Sequence, residues 1–191
     1  MALNAEQVRI GQRGNLYVAP LGTTGPTGPE TALDPAYQEL GYFSDDGVTE
    51  NWDDSVSNIV AWQSATVVRT VVTESSGTIA MTMIQTNTAV LETFYKGSTV
   101  TSVGAGVYQL DIVPVQAGAK SWVLDWFDGD LATRIWIPNG EVTERGEVVY
   151  SNSGDALGYP VTVAAYPAEA IDGNLMRKWS NDPGWGEGIG S

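Results

Sequence analysis

Residues 66–84 read TVVRTVVT, ESSG and TIAMTMI in succession, and this stretch decides the fold class. The two outer segments are rich in Val, Ile and Thr, the residue types that favour extended strands. The four residues between them, Glu74, Ser75, Ser76 and Gly77, are polar or small and suit a turn. The pattern predicts a β-hairpin that reverses direction at residues 74–77.

Short β-rich segments continue along the chain, separated by Gly, Asn, Asp and Ser. Two of them, residues 122–127 and 131–137, are predicted to form a hairpin around Asp128, Gly129 and Asp130. Pro160 favours an edge or a strand start, because proline cannot donate a ladder hydrogen bond. Further strands are predicted at residues 106–113, 140–150 and 159–166.

Residues 87–97 carry the signals of one short amphipathic helix. Asn87 or Thr88 can cap its start, and Gly97 can close its end. Its apolar positions are Val90, Leu91 and Phe94. With the strands, this predicts a mainly β fold: an antiparallel β-sandwich or barrel-like domain with one short flanking α-helix, a long loop and extended termini.

Two stretches lack the periodicity of packed elements. Residues 20–36 are rich in Gly, Pro and Thr and form a loop longer than compact domains usually contain. The residues from 171 to 191 show no period either. We therefore expect a single β domain over residues 1–170, with an N-terminal arm at 1–12, followed by an irregular C-terminal tail at 171–191.

The composition excludes several classes of function. A net charge of −14 disfavours a sequence-independent grip on nucleic-acid phosphates. The chain has no His and no Cys, so the familiar Ser-His-Asp and Cys-His catalytic arrangements and thiolate or imidazole metal sites cannot form. No basic leader and no apolar run of about 18 residues is present, which predicts a protein made in the cytoplasm without a membrane anchor.

Carboxylate chemistry receives little support from the spacing of the acids. Asp45 and Asp46 are sequence neighbours, as are Asp53 and Asp54, whereas a glycosidase needs carboxylates on opposite sides of a cleft. The segment 125–130 lacks the ligand spacing of a calcium loop. We expect no catalytic residue, no metal and no cofactor. Sugar binding stays open as an alternative, because exposed indoles among the seven tryptophans, Trp52, Trp62 or Trp185, could stack on sugar rings.

Several segments together resemble the major tail tube proteins of long-tailed, siphophage-type bacteriophages. The segments are RGNLYVAP at 13–20, YFSDDGVTE at 42–50, the β-rich stretch 66–84, the helix at 87–96 and WIPNGEV at 136–142. The likeness covers about the first four-fifths of the chain, and residues 13–20 and 42–50 contribute most to it. It implies a β-sandwich whose subunits form hexameric rings and whose inner strands merge into a continuous barrel.

The resemblance also implies a structural virion protein of the phage tail rather than an enzyme. Its partners would be further copies of itself, a tape measure protein and a tail terminator, and genomic DNA would pass through without specific binding. Two physical arguments agree with this: closing a sheet into a ring removes edge strands that could template aggregation, and acidic walls repel passing phosphates.

Specific residues are expected in two assembly roles. The more polar faces of the predicted strands place Glu74, Glu141 and Glu147 as candidates for the lumen, although charged strand faces are as often simply solvated on an outer surface. The long loop is expected to contact the adjacent ring and to order on stacking. Its candidate contact residues are Gly22, Gly25, Pro26, Gly28 and Pro29.

Overall fold

The computed structural model describes residues 4–114, 118–152 and 154–186. Residues 1–3 of the predicted N-terminal arm and residues 187–191 of the predicted tail lie outside these ranges. The strands are β1 (Arg13–Pro20), β2 (Gln38–Glu39), β3 (Phe43–Val60), β4 (Val67–Met83), β5 (Val100–Gly104), β6 (Val107–Leu110), β7 (Lys120–Asp128), β8 (Leu131–Arg145), β9 (Tyr159–Ala165) and β10 (Arg177–Ser180). One α-helix, α1 (Thr88–Phe94), and the 3-10 turns Ala5–Gln7, Glu169–Ile171 and Pro183–Gly186 complete the description.

Eight of the strands form one antiparallel sheet in the order β2-β1-β7-β8-β9-β4-β3, with β10 pairing to β8. Strand β8 takes part in both halves of this sheet. Its residues 133–136 pair with β10, and its residues 140–145 pair with β9 across a register shift between Val142 and Glu144. A bulge of this kind bends a strand and lets the sheet fold over itself. The predicted mainly β, sandwich-like antiparallel fold with one α-helix is confirmed.

The main core lies between the two halves of the folded sheet. Alternate residues of β4 and β9 point inward, as their alternating burial shows, and meet residues of β1, β7 and β8. Helix α1 covers one end of this core through Val90 and Phe94. The fully buried side chains include Leu16, Ile79, Met83, Trp122, Ile137 and Val163.

A second, smaller cluster lies on the other face of β7 and β8. It contains Tyr37, Val123, Trp136 and Ile171, and the long loop and the segment after β9 cover it. This explains why residues 121–125 of β7 are buried on both faces. The loop is irregular as predicted, but it packs against its own subunit.

The helix prediction is confirmed at its N-terminus. Asn87 is the cap, and its Oδ1 accepts a hydrogen bond of 2.8 Å from the backbone N–H of Val90. Gly97 follows the helix with φ at +82°, a conformation that glycine adopts without strain. The hairpin of β7 and β8 around residues 128–130 is also confirmed.

The predicted turn at residues 74–77 is wrong. Strand β4 runs straight through these residues, with Glu74 paired to Ser55 and Gly77 paired to Trp52. The chain reverses instead at residues 61–66, where the N–H of Ala65 bonds to the carbonyl of Ala61 and Ala65 has φ at +50°. That reversal contains no Gly, Pro, Asn or Asp, so turn composition could not locate it.

Three boundaries also differ from the predictions. Residues 146–150 lie beyond the end of β8, so the predicted strand 140–150 is the final part of a longer strand followed by irregular chain. Strand β6 pairs with β5 in a separate two-stranded hairpin. The segment after residue 171 is not irregular throughout, because β10 pairs with β8.

Candidate functional site

The outer halves of β3 and β4 form an arm, residues 53–76, that leaves the packed body. Strand β9 pairs with residues 77–83 of β4. Residues 67–76 of β4 therefore have β3 as their one partner among the described strands. Residues 53–75 are exposed except for the half-buried Ala61. A two-stranded hairpin without further packing is marginally stable in water. The arm therefore needs a partner to cover it.

Both faces of the arm carry large apolar side chains. Val56 lies opposite Val72 on one face, while Val71 and Ile59 lie on the other. A solvated hairpin usually has one face that is predominantly polar, whereas each face of the arm mixes polar residues with large apolar ones. The exposed apolar residues of the arm are Val56, Ile59, Val60, Trp62, Val67, Val68, Val71 and Val72.

The arm also differs from the rest of the chain in charge. Residues 55–73 contain no acid and one base, Arg69, within a chain of net charge −14. Three carboxylates, Asp53, Asp54 and Glu74, lie where this neutral section meets the body. We call these three residues the acidic collar.

The root of the arm is fixed to the body by a polar clamp. Glu50 accepts hydrogen bonds from the indole N–H of Trp52 at 2.6 Å and from Lys178 of β10 at 2.6 and 2.7 Å. Burial acts to raise the pKa of Glu50, but these hydrogen bonds outweigh it and hold the pKa below its ordinary value. Gly77 lies against the ring of Trp52 and the side chain of Met176, where a β-carbon would crowd both.

Strand β3 leaves one edge open along its length, since β4 is its only partner among the described strands. Strand β1 is open too at residues 13–15, because β2 pairs with it only at Tyr17 and Val18. Unpaired strand edges are templates for pairing with another chain. Both of these edges are suited to association.

A groove of about 1120 Å³ separates these two edges, and we call it the β1–β3 groove. Its apolar lining comes from Leu124, Trp126 and Ile135, and its walls come from residues 13–15 and from the first half of β3. Ser44 also lines it. Among the described residues, the Ser44 hydroxyl is the one buried side-chain polar atom without a hydrogen-bond partner.

The structure places the three candidate lumen residues in different surroundings. Glu74 is exposed in the acidic collar, and Glu147 is exposed in the irregular chain after β8. Glu141 is half-buried and accepts hydrogen bonds from Lys96 at 3.0 Å and from the N–H of Gly118 at 3.2 Å. The bond from Lys96 holds the pKa of Glu141 below its ordinary value. Its negative charge is thus compensated within the subunit.

The candidate loop residues also divide into two groups. Pro26 and Gly28 are buried, and Gly25 lies directly against the indole of Trp136. Gly22 is exposed, and Pro29 is half-buried. Only part of the loop is therefore free to contact another molecule.

An ion pair that sequence reasoning missed anchors this loop. Arg134 and Asp125, directly opposite on β8 and β7, form a buried two-point pair at 2.6 and 2.8 Å. The same guanidinium donates to the carbonyls of Thr31 at 2.6 Å and Gly28 at 3.2 Å. Cross-strand register around the turn at residues 128–130 was the signal that could have located it.

Within the described ranges, no three Asp or Glu side chains, those of the acidic collar included, are arranged so that they could hold a metal ion. Nor does any helix within them have the length and apolarity to cross a membrane. The tryptophans proposed for sugar stacking are on separate elements. Trp62 is at the arm tip, Trp52 at the arm root, and Trp185 in the turn Pro183–Gly186.

Comparison with known proteins gives a match to a protein family. No individual curated protein matches the sequence. A family model described as phage tail tube protein matches residues 1–185, nearly the whole chain. The chain belongs to the phage tail tube protein family.

Proposed function

We propose that this protein assembles into hexameric rings that stack as the tail tube and enclose an acidic conduit for DNA delivery. Membership of the family gives it a structural role in the virion tail. The ring size, the conduit and DNA passage are the proposed refinements. So are synthesis in the host cytoplasm and contacts with a tape measure protein and a tail terminator.

The uncovered arm is the observation that carries this proposal. The two apolar faces of the arm and the open edge of β3 differ from the surfaces of the body. A contact between the arm of one copy and the body of another would therefore join unlike surfaces. Head-to-tail contacts of this kind produce rings when the rotation closes and open stacks when it does not. A tube of stacked rings needs both kinds of contact, one that closes each ring and one that continues from ring to ring.

The charge distribution supports an acidic conduit. The body half of β3 contributes Asp45, Asp46 and Glu50, and the acidic collar follows directly along the hairpin. Of these, Asp45, Asp46 and all three collar residues are exposed. A wall carrying such carboxylates repels phosphates, so DNA would pass without being held. We propose Glu74 and Glu147 for this wall and give Glu141 a smaller part, because Lys96 neutralises it.

Replacing residues 55–73 with an Asn-Gly turn tests the proposal. Because residues 55–73 are exposed apart from the half-buried Ala61 and lie beyond the end of the pairing with β9, the shortened protein should fold and unfold as a monomer with a thermal midpoint close to that of the full chain. It should fail to form rings or tubes. Size-exclusion chromatography and negative-stain microscopy at increasing protein concentration measure this.

The matched control converts Val107 to Thr on the exposed β5–β6 hairpin, and this variant should assemble like the unaltered chain. Tubes of ordinary diameter from the shortened protein would show that the arm is not the assembly element. A full-length protein that stays monomeric at every concentration would contradict the proposed function itself.

A further inference from the structure

Trp62 is the most exposed large apolar residue among those described, with 94% of its surface accessible. It lies in the reversal at residues 61–66, which is fixed by the bond from Ala65 to Ala61 and by a 2.7 Å contact between the hydroxyls of Ser64 and Thr66. An indole held in water by an ordered turn is costly unless a partner buries it. Tryptophan is also the residue type most enriched among the dominant contacts of interfaces.

The indole cannot reach its own subunit's groove. The groove wall formed by β3 ends at Glu50, and Trp62 follows it along the same hairpin. An extended strand of this length spans about 30–40 Å. Any cover for Trp62 must therefore come from another molecule.

We infer that Trp62 of one copy docks in the β1–β3 groove of a neighbouring copy, an inference that rests on the proposed self-assembly. Leu124, Trp126 and Ile135 supply an apolar lining for the indole. Each copy has one tip and one groove, so the contact repeats from copy to copy.

Charge favours this pairing. The acid-free section of the arm carries +1 through Arg69, which leaves −15 on the rest of a chain whose net charge is −14. The groove is lined by the carboxylates Glu39, Asp45 and Glu50 and by the guanidiniums of Arg9 and Arg13. A tip that carried acids would be repelled by the groove carboxylates, whereas a tip whose one charged residue is Arg69 is not.

Cross-linking between copies tests the contact directly, because the chain has no cysteine of its own. A tagged Gln63→Cys protein, which keeps Trp62 and places the thiol at the adjacent exposed residue, is mixed with an untagged Tyr42→Cys protein, Tyr42 being 77% exposed and lining the groove. A short bismaleimide should join the two in tubes and give a tagged-untagged dimer. The matched control pairs Gln63→Cys with Val103→Cys on the β5–β6 hairpin, which should give none above background.

Assembly thresholds provide a second measurement that does not depend on cross-linker reach. Trp62→Ala should raise the concentration needed for assembly by about thirtyfold, the effect of losing a dominant interface contact. Tyr108→Ala removes a comparably exposed aromatic residue from β6 and should leave the threshold unchanged.

The outcomes separate this inference from the proposal beneath it. Tubes that form with an unchanged threshold for Trp62→Ala, or dimers that link 63 to 103 as readily as to 42, would overturn the docking and leave self-assembly standing. An unaltered protein that never assembles would contradict both.

Discussion

One buried ion pair holds the long loop against the sheet. Asp125 and Arg134 each retain less than a tenth of their side-chain exposure. Arg134 divides its donors between the carboxylate and the carbonyls of Gly28 and Thr31, so the guanidinium connects the β7–β8 hairpin to the loop. A buried charge that is paired and hydrogen-bonded is tolerated, but one left without its partner is expensive.

Asp125→Asn should therefore destabilise the subunit by about 3–5 kcal/mol, because it leaves the Arg134 charge buried and unpaired. Asp172→Asn is the control: Asp172 pairs with Arg177 on the surface and is 88% exposed, so its loss should change stability by less than about 1 kcal/mol. Urea unfolding measures both. Equal, small effects would show that the buried pair does not anchor the loop.

At the scale of elements, the sequence predicted strand-forming segments better than the places where they begin and end. Composition identified β-rich residues on both sides of Glu74, because Val, Ile and Thr are enriched in strands. It could not show that Ser75 and Ser76 pair with Asp54 and Asp53 in an uninterrupted ladder. Cross-strand pairing depends on the partner strand as well, and the reversal at residues 61–66 has Ser64 as its one common turn residue.

The long loop illustrates the same limit for the candidate site. Its Gly- and Pro-rich composition predicted irregular structure, which is what the structure contains. Composition could not show that Pro26 and Gly28 would be buried in its own subunit, because that depends on Trp136 and Arg134, more than a hundred residues further along the chain. The exposed section around Leu21 and Gly22 is the part we still propose for contact between rings.

Leu21→Glu tests that contact without disturbing the loop's packing. Leu21 is 57% exposed, so the change should leave thermal stability unaltered, while adding like charge to a surface that meets another acidic subunit should shorten the tubes. Deleting residues 22–30 would also reduce tube yield but would remove cover from Trp136 and lower stability as well. Val149→Glu, at a residue 61% exposed elsewhere, is the control. Tube lengths in micrographs that match the unaltered protein would remove the loop from the interface.

Across the whole molecule, charge and apolar surface are separated along one hairpin. The body half of β3 and the acidic collar carry carboxylates, and the outer part of the arm carries valines and Trp62. The net charge follows directly from the residue counts, and the structural class was predicted from the sequence pattern. It could not predict which acids face a lumen, because that depends on neighbouring copies rather than on the subunit.

The lumen assignment is tested by reversing charge at the two exposed candidates, Glu74 and Glu147. Both side chains are exposed, so Glu74→Lys and Glu147→Lys should leave folding and tube formation intact. In a lumen, each added lysine would repeat around every ring and contact DNA phosphates. Such contacts gain free energy by releasing counterions, and they weaken as salt rises, with a slope of about −0.9 per phosphate on a logarithmic scale. DNA ejection from mutant particles should therefore be slow at low salt and should recover at high salt. Glu169→Lys, an equal charge change at an exposed residue of the turn Glu169–Ile171, is the control and should eject DNA normally. Normal ejection by the Glu74 and Glu147 variants at low salt would place both carboxylates on the outer surface, where they serve solubility alone.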